Sequence, residues 1–274
     1  MRVAIHTKNK TAEHAEGRIA LEAALKRLDI EVVDLEMGEE PWSEDEGTCD
    51  IDFMISIGGD GTLLSAVHRI GRSGIPVVGI NFGHLGFLTT AGRGDIERLA
   101  SCLKEGRYTI EPRTMLKVKV SEGGNERDIY ALNEVYLHRR ERRPLLHTQV
   151  FVNGEAAATY AADGIIVATP TGSTAYSLSC GGPILVPQSG CLVITPIAAH
   201  TLTQRPIVLS DSVHLTLCDE EKDIEFTLGV DSYVCTLNGD SIIEISKADF
   251  RTNIVRIESQ NFFSAIRDKL MWGV

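Results

Sequence analysis

The chain has 274 residues, of which 43% are hydrophobic and 24% are charged, and these values are typical of a globular protein with one large or two moderate domains. The formal net charge of −11 argues against broad nucleic-acid binding, because that requires clustered lysines and arginines. No segment approaches the roughly 18 uninterrupted apolar residues of a membrane span, and the N-terminal RVAIH lacks the apolar stretch of a signal peptide. We therefore expect a soluble, cytoplasmic protein.

The six cysteines include no C-x-x-C pair, and several lie within apolar runs. This pattern predicts buried free thiols, which fits a reducing compartment.

The first third of the sequence alternates between strand and helix patterns. Strands are predicted over 2–6, 30–35, 53–57 and 75–80, and helices over 12–28, 62–70 and 95–105. Strands that alternate with helices predict a parallel sheet with crossover helices.

The pattern changes after about Tyr108, where many short strand-like segments, one of them predicted over 129–138, are separated by turns. Asn153-Gly154, between two such segments, is typical of a tight hairpin turn. These features predict an all-β second domain over 111–257. Residues 261–272 return to a helical pattern, and this helix is expected to pack on the first domain. We therefore predict an α/β domain formed by 1–110 together with 258–274.

The segment FMISIGGDGTLL, residues 53–64, carries the strongest chemical signal. A buried strand leads into Gly58-Gly59-Asp60-Gly61-Thr62 and then into a helix. The glycines allow a sharp turn and a close approach to a ligand, and N–H groups at a helix start favour anions. The segment therefore predicts a phosphate-binding loop that is neither a Walker motif nor a dinucleotide fingerprint. The alternative is a plain turn with Asp60 as helix N-cap, although capping does not require three glycines.

Three further segments are candidates. Residues 163–183 contain many hydroxyl side chains and glycines after a strand. The segment either donates and accepts hydrogen bonds with the phosphate, ribose and base of a ligand or forms a polar surface loop. Asn133-Glu134 lies between apolar flanks and is weak evidence alone. NFGHLGFL, residues 81–88, is equally compatible with a ligand-lining loop and a tight turn. The basic run 139–143 is either an exposed loop or a phosphate-facing or subunit-contact patch.

Together, GGDGT, GHLGF, the Asn-Glu pair and TPTGSTAYSLS resemble the NAD kinase family, and the resemblance covers nearly the whole chain. Lipid kinases share GGDGT, but the combination is more specific. The resemblance implies a Rossmann-like α/β domain, a β-sandwich-like C-terminal domain, and dimers or tetramers. It also implies that ATP (polyphosphate in some members) and a divalent metal, Mg²⁺, phosphorylate the adenosine-ribose 2′-hydroxyl of NAD to give NADP.

The same resemblance assigns roles to individual residues. Asp60 corresponds to the general base. Phosphate binding is implied for Gly58, Gly59, Gly61 and Thr62, and no side chain is assigned to the metal, which the ATP phosphates would hold. NAD binding is implied for Asp60, Gly61, Phe87, Asn133, Glu134, Asp163, Thr174, Ala175, Tyr176 and Ser179.

The sequence departs from the family pattern at Ala162, at Ala199-His200-Thr201-Leu202 and at Asp231-Ser232. These changes bear on substrate preference and subunit packing more than on the reaction. A lipid kinase and a catalytically silent NAD(H) sensor remain the alternatives. The hydroxyl-rich 169–179 segment argues against the first and Asp60 against the second.

The apolar, proline-containing run 194–209 is compatible with either a core cover or an exposed contact loop. The resemblance favours the contact. It predicts a homo-oligomer with His200 near a shared site.

Overall fold

The computed structural model describes residues 1–8, 11–33, 50–83, 86–140, 145–257 and 262–273. Within these residues, no helix has the length and apolar character needed to cross a membrane. The chain divides into two units, Met1–Arg113 with Arg251–Val274, and Thr114–Phe250.

The elements of the first unit alternate as the sequence predicts. They are β1 (Arg2–His6), α1 (Ala12–Arg27), β2 (Glu31–Val33), β3 (Phe53–Ile57), α2 (Asp60–Ile70), β4 (Val77–Asn81), β5 (Ala91–Gly92) and α3 (Ile96–Glu105). The second-unit strands that follow are β6 (Tyr108–Glu122, which starts in the first unit), β7 (Asn125–Ala131), β8 (Glu134–Arg139), β9 (Leu146–Val152), β10 (Glu155–Ala162) and β11 (Gly164–Ala168). The remaining elements are α4 (Tyr176–Ser179), β12 (Cys191–Ile197), β13 (Ile207–Ser210), β14 (Leu215–Asp219), β15 (Glu225–Val230), β16 (Tyr233–Asn238), β17 (Ile242–Ile257) and α5 (Phe262–Leu270).

A parallel sheet forms the centre of the first unit, which confirms the α/β prediction. β1 pairs with β2 and β3, β3 with β4, and β4 with the end of β17, all in parallel. Strands β1, β3 and β4 are almost fully buried because helices cover them, and side chains of this sheet pack with Leu25 of α1 and Leu99 of α3. The edge strand β2 is only partly buried. Helix α5 lies in this unit, as predicted, and its Ile266 is buried.

The second unit is a sandwich of antiparallel strands. One sheet has the order β13-β12-β11-β8-β15-β16. The opposing strands include β10, β9, β14 and β17, and the core between the layers contains Val150 and Leu217 from one side and Leu137 and Phe226 from the other. The predicted Asn153-Gly154 hairpin is confirmed, since both residues have positive φ between β9 and β10.

Some local predictions were wrong. The run 194–209 is not one contact loop, because its first residues complete β12, a buried strand that pairs with β11 and β13. Pro196 lies beyond the last β12 residue that pairs with β13, so no hydrogen bond to that strand is lost there. The predicted extended segment 129–138 is broken at Leu132-Asn133.

Candidate active site

The glycine loop joins β3 to α2 in the first unit. Helix α2 begins at Asp60, two residues earlier than predicted, and its N-cap is Gly59, with no side chain capping the helix. The N-cap interpretation of Asp60 was therefore wrong. Gly58 has φ +145°, and a Cβ there would overlap the side chain of Thr62, whereas a Cβ at Gly59 or Gly61 would meet nothing within 4 Å. Packing within the described chain thus requires a glycine at 58 but leaves open space beside 59 and 61.

The Asp60 carboxylate binds the backbone of the segment that follows β4. Its Oδ2 accepts the N–H of Phe87 at 2.8 Å, and its Oδ1 accepts those of Leu88 and Thr89, both at 3.2 Å. A Cβ at Gly86 would overlap this carboxylate. Three N–H donors offset the negative charge of this carboxylate, so an aspartate is compatible with the anion-binding role predicted for the loop. A carboxylate has about four acceptor positions, and donors among the described residues fill three of them, which leaves one on Oδ2 for a further donor.

Arg256 of β17 binds the same segment from its carbonyl side. Its guanidinium donates to the carbonyl oxygens of Phe87 at 3.1 Å and Leu88 at 3.3 Å, and to Glu111 at 3.1 Å. Glu111 also pairs with the buried Arg113 at 2.5 Å. Burial raises the pKa of Glu111, but the two arginines outweigh it and hold that pKa below its ordinary value. We call Phe87–Thr89 with Asp60 and Arg256 the first clamp.

The first clamp shows what NFGHLGFL does in the described residues. Side chains hold its described residues, since Gly86 donates its N–H to Thr89 Oγ1 at 2.8 Å and Gly83 donates its N–H to Asn81 Oδ1 at 2.7 Å. Residues 84 and 85 lie outside the described residues. Phe87 stays half-buried, and Lys269 of α5 lies 4.7 Å from the centroid of its ring.

An equivalent arrangement holds Leu132–Glu134 in the second unit. The carboxylate of Asp231, in the turn between β15 and β16, accepts the N–H groups of Leu132, Asn133 and Glu134 at 2.7, 2.9 and 3.1 Å. Its own N–H donates to the carbonyl of Glu134 at 3.0 Å. We call this the second clamp.

The hydroxyl-rich motif completes the second clamp. Thr169 donates from Oγ1 to the carbonyl of Leu132 at 2.6 Å and from its N–H to the carbonyl of Asn133 at 2.9 Å. A Cβ at Gly172 would overlap the backbone of Asn133. Two motifs that are separate in the sequence are therefore in direct contact.

The side chains of Asn133 and Glu134 are both 8% exposed. Asn133 Oδ1 and Glu134 Oε2 have no hydrogen-bond partner within the described chain. Burial, with a contribution from Asp231, raises the pKa of Glu134 to about 8. Buried polar atoms are normally paired, so these two atoms indicate a place where a ligand supplies the partners.

The rest of the second motif follows β11. Asp163 pairs with Arg139 at 2.6 Å, and Arg140 pairs with Glu225, so both described arginines of the basic run form ion pairs; 141–143 lie outside the described residues. Thr174 Oγ1 donates to the carbonyl of Thr171 at 3.3 Å, Ala175 donates its N–H to Gly172, and Ser179 is exposed.

Tyr176 packs edge-on against Tyr136, with 5.6 Å between ring centroids. With His138 and Thr227, the two tyrosines line an open cleft of about 410 Å³. Burial is the main cause that raises the pKa of Tyr176.

Sequence reasoning missed Asp231, Arg256, Thr169 and Arg139 as residues that hold the site. Arg256 gave a signal, because it is a charge inside the apolar run IVRI. Asp231 was noticed only as part of a departure from the family pattern, and nothing in the sequence links it to 132–134.

Among the described residues, no group of three or more His, Cys, Asp or Glu side chains is placed to hold a metal ion. Mg²⁺ commonly keeps waters and substrate phosphates as ligands. A metal held in that way needs no cluster of protein side chains.

Comparison with known proteins agrees with this geometry. Residues 7–108 match the ATP-NAD kinase N-terminal domain and residues 132–257 the ATP-NAD kinase C-terminal domain. An NAD kinase of Flavobacterium psychrophilum is 41% identical over 224 residues, 81% of this chain and 76% of that protein. An NAD kinase of Bacteroides fragilis is 41% identical over 229 residues, 84% and 79% of the two chains.

Two solved structures are similar over the whole chain. Yeast NADH kinase complexed with NADH has a TM-score of 0.85 at 25% identity and covers 100% of this chain and 88% of its own. An NAD kinase from Archaeoglobus fulgidus in complex with ATP has a TM-score of 0.78 at 28% identity and covers 99% of both chains. The matched domains, the relatives and the shared fold show that this chain belongs to the NAD kinase family.

Proposed function

We propose that this enzyme transfers the γ-phosphate of ATP to the 2′-hydroxyl of the adenosine ribose of NAD and so produces NADP. The observation that carries the proposal is the glycine loop. Helix α2 has no side-chain cap, and open space lies beside Gly59 and Gly61, so its N-terminal N–H groups can bind phosphate oxygens. Gly58 and Thr62 shape the same loop.

Asp60 is the proposed general base. Its remaining acceptor position on Oδ2 takes the proton of the 2′-hydroxyl while the hydroxyl oxygen bonds to the γ-phosphorus and the bond from that phosphorus to the β–γ bridging oxygen breaks. ADP then leaves with the electron pair, and Asp60 returns the proton to solvent. Phosphoryl transfer depends on positioning and charge neutralisation more than on covalent chemistry. The first clamp serves the positioning, since it fixes the Asp60 carboxylate through three N–H groups.

Binding of NAD is proposed for the sequence-predicted residues. Asn133 and Glu134 have the strongest support, because each presents a buried polar atom without a partner in the described chain. With a pKa of about 8, Glu134 is largely protonated at neutral pH and can donate as well as accept a hydrogen bond. The other residues are Gly61, Phe87, Asp163, Thr174, Ala175, Tyr176 and Ser179.

Mg²⁺ is proposed to bind the ATP phosphates rather than a set of protein side chains. Bound there, it would neutralise phosphate charge during transfer. The protein contributes the N–H groups at the start of α2.

A homo-oligomer in the cytoplasm is also proposed. His200 is exposed in the single chain, as expected of a residue that would lie near a site shared with a second copy. The described cysteines are free thiols, which fits a reducing compartment. Light scattering at assay concentrations, with activity followed on dilution, tests the assembly. A fully active monomer would rule out the shared site.

The function is tested with the purified protein, ATP, Mg²⁺ and NAD, with NADP measured by a dehydrogenase specific for it. Adenosine and AMP should be poor acceptors, because truncated substrates lose remote binding that orients the reacting hydroxyl. If adenosine were phosphorylated as efficiently as NAD, that result would contradict the proposed dinucleotide site. Phosphorylation of diacylglycerol or sphingosine would favour a lipid kinase, and NAD binding without turnover would favour a sensor.

A further inference from the structure

We propose that Asp231 is a positioning residue for catalysis: it fixes the backbone of Leu132–Glu134 so that the side chains of Asn133 and Glu134 are held ready for NAD. The proposal rests on the proposed function of that pair. Asp231 itself need not touch the substrate.

The backbone of this segment carries three N–H and three carbonyl groups. All six are hydrogen-bonded, and Asp231 provides the partner for four of them, three through its carboxylate and one through its N–H. Thr169 provides the other two. Leu132 and Asn133 lie in the break between β7 and β8, and Glu134 is the first residue of β8. One side chain, that of Asp231, therefore makes half of the hydrogen bonds that hold this backbone.

The backbone of Asp231 supports a dedicated role. Its φ is +49°, a left-handed conformation that glycine adopts without cost and other residues adopt rarely. A glycine there would relieve the backbone but would remove three of the four hydrogen bonds. The side chain therefore explains why a non-glycine residue is kept in this turn.

Charge links Asp231 to Glu134 as well. Burial raises the pKa of Asp231 to about 6, although its three N–H donors act in the opposite direction. Asp231 in turn adds to the increase in the pKa of Glu134. Burial and Asp231 thus both favour the protonated form of Glu134, in which its side chain can donate a hydrogen bond.

The test compares Asp231→Asn with Asp219→Asn. Asp219 is a matched control, because it is also a buried carboxylate of the second unit that accepts backbone N–H groups, from His147 and Glu221, both at 3.0 Å. For each variant the KM values for NAD and ATP, kcat, and the Tm would be measured. We expect Asp231→Asn to raise the KM for NAD at least about tenfold, as expected when hydrogen bonds to a charged group are lost, with less than about a twofold change in the KM for ATP.

Asp219→Asn should lower the Tm but leave both KM values within about twofold. A folded Asp231→Asn protein that also loses only stability would overturn the proposal. If Asp231→Asn does not fold, Asp231→Glu keeps the charge but displaces the carboxylate. A raised KM for NAD in that variant supports the proposal, and an unchanged one refutes it. Wild-type protein that makes no NADP in the same assay would refute the proposed function instead.

Discussion

The two clamps use the same local geometry in different electrostatic surroundings. In each, one aspartate accepts three consecutive backbone N–H groups. The carbonyl side of the first clamp is bound by a charged guanidinium, Arg256, within an ion-pair network. The carbonyl side of the second is bound by the uncharged Thr169 and by a backbone N–H.

The consequence of this difference is seen in the carboxyl groups. Arginines hold the pKa of Glu111, the partner of Arg256 beside the first clamp, below its ordinary value, whereas burial and Asp231 both raise the pKa of Glu134 in the second clamp. The pKa of the glutamate at each clamp is therefore set by its own burial and neighbouring charges, which differ although the backbone pattern is shared. We expect the first clamp to control the rate of transfer and the second to control NAD binding and its pH response.

The largest effect is expected at Asp60. Asp60→Asn should lower kcat by roughly 10² to 10⁴, the range for loss of a general base, while NAD binding measured by calorimetry is retained. Arg256→Met is the matched variant, because it loosens the same segment without removing the carboxylate, and it should lower kcat much less. Equal losses in the two variants would mean that Asp60 acts by holding the segment and not as a base.

Each clamp is in contact with one glycine, and substitution of these two glycines tests whether the clamps have different functions. Gly86→Ala would push a methyl group into the Asp60 carboxylate, and Gly172→Ala into the backbone of Asn133. We expect the first to lower kcat and the second to raise the KM for NAD, each by roughly tenfold, since overpacking costs about 1–3 kcal/mol. Gly94→Ala is the control, because a Cβ there meets nothing within 4 Å. Identical kinetic signatures for the two variants would remove the functional distinction.

Glu134 of the second clamp should also make the stability of the protein depend on pH. A carboxyl whose pKa is raised on folding binds more protons in the folded state, so its contribution to stability falls as pH rises. For Glu134, this window runs from its ordinary value of 4.5 to about 8. When the pH rises from about 5.5 to 8.5, the Tm of the wild type should therefore fall by about 5 °C more than the Tm of Glu134→Gln.

Glu155→Gln, which alters an exposed carboxyl, is the control for that experiment. It should follow the wild-type curve. Parallel curves for Glu134→Gln and the wild type would show that Glu134 titrates normally in the folded protein.

The smallest effect is expected at Thr169. Thr169→Val removes the donor to the carbonyl of Leu132 and leaves that oxygen without its 2.6 Å partner. We expect a loss of about 1–2 kcal/mol in the free energy of unfolding and a KM for NAD raised by less than in Asp231→Asn. Thr159→Val, at an exposed position, should change neither. An effect as large as that of Asp231→Asn would mean that Thr169 is the main support.

Local sequence patterns predicted the fold well, because periodicity and turn residues act over short distances. The strands β1 and β3, the Asn153-Gly154 hairpin and the glycine loop all follow from adjacent residues. The split of 129–138 into β7 and β8 was not predictable, because the hydrogen bonds that hold the break come from Thr169 and Asp231, far along the chain.

The same limit applies to the candidate site. Residue types that carry chemistry, such as Asp60 and the Asn133-Glu134 pair, stand out in the sequence. The residues that hold them do not, since an aspartate in a hairpin turn has an ordinary local explanation. Only the folded chain shows which backbone groups its carboxylate accepts.

The contact between Gly172 and Asn133 also has an evolutionary consequence. A side chain at 172 fits only if the backbone of 132–134 moves, and that movement would break hydrogen bonds from Thr169 and Asp231. Substitutions at these positions are therefore expected to be harmful singly and tolerated only in combination. Related sequences should change them together, so that a chimera joining 132–134 of one relative to 169–172 of another loses NAD affinity that each parent has.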